Sequence, residues 1–95
     1  MQEILDLIQK MRKDCGWDKT DNLATLIKSV SIESAELLET IQWDETNVDI
    51  CAVRLELADV LMYALAIAID QNWDVKELIA EKISDVYRRY PHNND

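Results

Sequence analysis

Apolar positions along this chain recur at helical rather than strand spacing. Residues 2–13 place Ile4, Leu5, Ile8 and Met11 on one stripe. A polar connection, DCGWDKTDN, follows and contains Gly16. A second helix is expected over roughly residues 22–42, with Leu23, Leu26, Ile27, Val30, Leu37, Leu38 and Ile41 on its apolar face. The WDETN stretch then breaks the pattern, and Thr46 with Asp49 has the spacing of a helix-capping box. The third helix runs from about 47 to 71 and is apolar almost all round in its middle, which makes it the central helix. After Asn72-Trp73, Asp74 and Glu77 repeat the capping pattern and open a fourth helix, 74–90. Its stripe is Val75, Leu78, Ile79, Ile83, Val86, Tyr87 and Tyr90, and Pro91 ends it. Short connections between long helices favour antiparallel neighbours. The expected fold is therefore all-α, a four-helix bundle-like single domain over residues 1–95.

Composition narrows this further. One Gly and one Pro among 95 residues leave too few turn-makers for a β-sandwich or barrel. A domain this small buries a modest share of its surface, so oligomerisation through helix packing is expected. Nineteen acids against ten bases give a net charge of −9, which argues against a nucleic-acid polymer as partner. A metal-chelated phosphate remains compatible, because the ion reverses the local charge balance. Residues 60–69 are apolar but too short to span a bilayer, and the N-terminal residues lack an apolar signal core. Cys15 and Cys51 have no metal-type spacing. A cytoplasmic protein is expected.

Two acid pairs stand out. Glu33 and Glu36, then Glu56 and Asp59, each have i, i+3 spacing, so each pair shares a helix face. Glu33 falls between Val30 and Leu37 within an apolar stripe, and Asp59 is flanked by Leu55, Met62 and Tyr63. Burying ionised carboxylates without partners costs several kcal/mol, on the order of the desolvation penalty per ion. A divalent cation removes that cost, and hard oxygen donors suit Mg²⁺ or Mn²⁺. A di-iron centre would need Glu-x-x-His units, yet the only histidine is His92 in the tail. On residues alone, a solvated or structural role for the acids stays open beside the metal reading.

Glu33-Ser-Ala-Glu36 and Glu56-Leu-Ala-Asp59 resemble the ExxE…ExxD signature of the all-α nucleoside triphosphate pyrophosphohydrolases, a superfamily that includes the MazG proteins, dimeric dUTPases and dCTP pyrophosphatases. The nineteen residues between the pairs fit that signature. The segments ELLETIQW (36–43) and LADVLMY (57–63) resemble the MazG-like and dCTP-pyrophosphatase branch, as do Lys82 and RRYP (88–91). Cys15-Gly16-Trp17-Asp18 is similar to a CPWD element, with Gly16 in place of the proline. The resemblance implies Mg²⁺-dependent hydrolysis of a nucleoside triphosphate, dCTP or a related dNTP first, to the monophosphate and pyrophosphate. It also implies a homodimer or homotetramer with sites near subunit interfaces.

On that reading Glu33, Glu36, Glu56 and Asp59 are the metal and catalytic residues, one of them, Glu33 by preference, serving the attacking water. Trp17, Trp43 and Tyr63 are candidates to grip the base, since aromatic faces stack on any nucleobase. Lys82 and Arg89 are candidates for phosphate contact. Each has a plainer alternative: aromatic core packing, a lysine stem lying on apolar surface, or cations that suit a helix C-terminus. The rival to an enzyme is a non-catalytic helical interaction or metal-binding module.

Overall fold

The computed structural model describes residues 1–90. Those residues form five helices and no strand. They are α1 (Gln2–Asp14), α2 (Trp17–Thr20), α3 (Leu23–Gln42), α4 (Ile50–Gln71) and α5 (Val75–Arg89). The four long helices are those expected from the apolar period. The addition is α2, a single turn inside what reads as a polar connection. Gly16 permits it: φ is +75°, a left-handed conformation that L side chains avoid. Pro91 and His92 lie outside the described residues.

Capping chemistry sets the helix boundaries. Asn22 and Thr25 cap α3 reciprocally: the Asn22 side chain accepts from the Thr25 N–H at 3.0 Å, and Thr25 Oγ1 accepts from the Asn22 N–H at 2.8 Å. The third long helix begins at Ile50, later than the expected 47. Asp44 is the reason, because its Oδ1 accepts from Thr46 N–H, Thr46 Oγ1–H and Asn47 N–H and folds residues 44–47 into a turn. Asp49 then caps α4 by accepting from the Ala52 N–H at 3.2 Å. At the far end Asn72 takes a left-handed φ of 57°, and the Trp73 N–H reaches back to the Ala68 carbonyl at 2.9 Å. Asp74 caps α5 through the Glu77 N–H, as its spacing predicts.

Helices α3 and α4 pack along their length as an antiparallel hairpin joined by residues 43–49, and α1 lies against α4. Leu26 and Ala66 are buried within the hairpin, while Ile8, Arg12 and Ala68 are buried where α1 meets α4. Among the described residues no other helix packs extensively on α5, and its apolar stripe, Leu78, Ile79, Ile83, Val86 and Tyr87, is exposed in the single chain. The radius of gyration is correspondingly large: 16.3 Å against about 13 Å for a compact domain of this length.

Candidate metal centre

The antiparallel register of α3 and α4 decides what meets across the hairpin. Within it, residues 33 and 36 face residues 59 and 56. Each acid pair lies on one helix face, one turn apart, so four carboxylates converge from two helices. One oxygen from each of Glu33, Glu36, Glu56 and Asp59 lies within 4.8 Å of all the others. Glu33, Glu56 and Asp59 are half-buried and Glu36 is exposed, so the cluster is open on one side.

Among the described residues no cation pairs with this cluster. The ion pairs among the described residues lie elsewhere, at Lys10–Asp14, Arg12–Asp70, Arg12–Asp21 and around Asp85. The acids therefore burden one another. Sharing a proton with Glu36 chiefly, then loss of water and the charges of Glu36, Asp59 and Glu56, push the Glu33 carboxyl up to about 7. Loss of water, followed by the charges of Glu36 and Asp59, raises Glu56 as well. Glu39 adds to that push, although its place in the sequence reads as plain surface. The Oε2 atoms of both Glu33 and Glu56 are buried without a hydrogen-bond partner. Unbonded buried acceptors beside like charges are costly in a protein. A hard divalent cation satisfies every member of this set, and four carboxylates with one open side leave room for waters and phosphate oxygens.

The aromatic candidates divide by position. Tyr63 follows Asp59 by one turn on α4 and is half-buried. Loss of water and the nearby charges of Glu33, Asp21, Asp59 and Glu36 raise its hydroxyl pKa. Trp17, on α2, lines a small cavity together with Tyr63. Trp43 closes α3 as its C-cap residue and is 85% exposed, a large apolar surface left in water. Asn22 spends its side-chain oxygen on the α3 cap.

The cationic candidates lie on α5, away from the hairpin's extensive packing. Lys82 and Arg89 both pair with Asp85, at 3.4 and 3.0 Å, and Arg88 pairs with the same carboxylate. Arg89 also lies over the Tyr90 ring, 5.7 Å from its centroid. One acid thus gathers three cations at the end of α5. Sequence reasoning passed over Arg12, the one buried charged residue among the described residues, and its partner Asp70. A signal was present: Arg12 follows Ile8 by four residues and so continues the apolar stripe of the first helix.

A model of the MazG-like family matches residues 28–95, which takes in both acid pairs. The chain is similar to a pyrophosphatase from Archaeoglobus fulgidus of known crystal structure, with 33% identity over 97% of this chain and 93% of that one, and a TM-score of 0.85. No curated protein matches the chain.

Proposed function

The chain belongs to the MazG-like family, and from that premise we propose that it is a nucleoside triphosphate pyrophosphohydrolase, releasing the monophosphate and pyrophosphate. The observation that carries this is the convergence of four carboxylates from α3 and α4 on one partly buried point. The likeness to a protein described as a pyrophosphatase supports the same reading.

Glu33, Glu36, Glu56 and Asp59 would hold Mg²⁺, with Mn²⁺ as a substitute. When bound, the ion offsets triphosphate charge and polarises the phosphorus under attack. Glu33, whose buried Oε2 has no hydrogen-bond partner among the described residues, orients the attacking water and accepts its proton. Glu36, on the same face of α3, would hold the ion beside it. Trp17, Trp43 and Tyr63 grip the base, and Lys82 and Arg89 meet the phosphates. The exposed α5 stripe supports assembly as a homodimer or homotetramer, which would bring these cations to a site. A dNTP of the cytoplasmic pool, dCTP first, is the substrate we assign, in a house-cleaning or pool-balancing role.

The test is to incubate the protein with each dNTP and Mg²⁺ and to follow the phosphate products. Pyrophosphate release with a monophosphate product supports the assignment. Release of orthophosphate alone would reject the proposed bond cleavage, and metal binding without turnover would favour a non-catalytic metal-binding module.

A further inference from the structure

The most deeply buried charged side chain among the described residues is Arg12, 2% exposed. It belongs to no part of the acid cluster. Its Nη1 donates to Asp70 Oδ1 at 2.9 Å and to Gln9 Oε1 at 3.0 Å, and its Nη2 donates to Asp70 Oδ2 at 2.8 Å. Nη2 also stands 3.9 Å from Asp21 Oδ2. Nε is buried without a partner. A buried ion pair is weak evidence for stability, because apolar side chains of similar volume often stabilise as well or better. An arginine with one unpaired buried N–H is a poor choice if α1 merely has to stick to α4. Its distinctive property is directional: a planar fork that fixes the Asp70 carboxylate bidentately and leaves its charge facing Asp21.

What it fixes lies next to the candidate site. Arg12 joins α1 to the last turn of α4 through Asp70, and faces Asp21, the residue between α2 and the α3 cap. Helix α2 is a single turn with no buried residue and no side-chain N-cap. It therefore has little of its own to hold it. Its two ends do that work: Gly16 where it leaves α1, and Asp21, whose N–H bonds the Trp17 carbonyl at 2.8 Å. Arg12, Trp17, Asp21, Leu26, Tyr63 and Ala66 line one small cavity. Tyr63 is in turn one helical turn from Asp59.

We infer that Arg12 and Asp70 are a positioning pair: their fork, through Asp21, sets where Trp17 stands against Tyr63 and so shapes the base-gripping wall beside the acid cluster. The inference rests on the reading of Trp17 and Tyr63 as base contacts. It places the pair's influence on nucleotide binding, not on the chemical step.

Two variants test this, Asp70→Asn, which keeps the shape but removes the charge, and Arg12→Lys, which keeps a cation but loses the fork. Kinetics are measured with the native tryptophans. The expected result for both is a KM for the dNTP raised about tenfold with kcat within about twofold, the pattern of lost uniform binding. A second readout needs no turnover. With Trp43→Phe and Trp73→Phe leaving Trp17 as the sole tryptophan, metal-free protein is quenched with acrylamide. Both variants should show a red-shifted emission and greater quenching while circular dichroism stays helical. Unchanged Trp17 quenching in folded Arg12→Lys overturns the inference, as does a fall in kcat at unchanged KM. If no dNTP is hydrolysed by the native protein, the hydrolase reading fails by itself, and the fluorescence still decides whether this pair positions Trp17.

Discussion

Raising the pH should weaken the metal-free protein, and Mg²⁺ should cancel the effect. The perturbation is titration of Glu33. Its carboxyl sits at about 7 in the folded protein, against an ordinary value of 4.5. The folded state therefore holds a proton that the unfolded chain gives up earlier. Between those two values folded protein binds more protons than unfolded, so stability falls as pH rises. The contribution is fully present below about pH 4.5 and lost above about pH 7. The full separation corresponds to an upper bound of about 3 kcal/mol. Water and salt reach this half-exposed cluster and reduce it to about 1 kcal/mol. For a domain of this size that is a Tm lower by about 4–8 °C at the alkaline end. Thermal melts followed by circular dichroism, in chelator, across that pH range provide the assay. Glu33→Gln should flatten the slope. Saturating Mg²⁺ should raise Tm most at the alkaline end, since the ion competes with the proton for the same oxygens. A metal-free Tm that is constant, or that climbs with pH, would refute the idea that these acids strain one another.

Three further outcomes follow. Glu36→Gln and Asp59→Asn should each abolish pyrophosphate release while leaving helical content intact; unchanged rates in both would remove these residues from the chemistry. Trp43→Ala should leave Tm unchanged, because the ring is 85% exposed, yet raise KM about tenfold or more if it stacks on the base; steady-state kinetics beside a melt separate the two. Gly16→Ala should cost about 1 kcal/mol through backbone strain alone, since a Cβ there meets no atom within 4 Å, and chemical denaturation measures it.

The same physics explains what could be read from the residues and what could not. Period and capping chemistry are local, so the long helices were legible, down to the Asp74 and Asn72 boundaries. The start of α4 was misplaced because two acids, Asp44 and Asp49, compete to organise the same stretch; Asp44 takes the N–H groups of residues 46 and 47, and only a structure shows which carboxylate bonds where. The α2 turn was hidden for a related reason, as four residues between polar neighbours carry no period. Meeting of the acid pairs was legible only as far as an antiparallel hairpin could be assumed.

Burial was the least legible property. An apolar stripe announces that a face seeks cover without naming the cover. On α4 it is α3 and α1; on α5 no described helix packs extensively, and Ile79 and Tyr87 remain more than half exposed. The converse holds at Arg12, where a charged residue on an apolar stripe is the one most enclosed. Both cases have one cause. Pattern reports the free-energy preference of each side chain taken alone, whereas enclosure depends on which distant group arrives to meet it. Asp70, 58 residues away along the chain, is what makes burying Arg12 tolerable. The four carboxylates are the same problem with the sign reversed: the fold brings like charges together, and no ion pair among the described residues answers them.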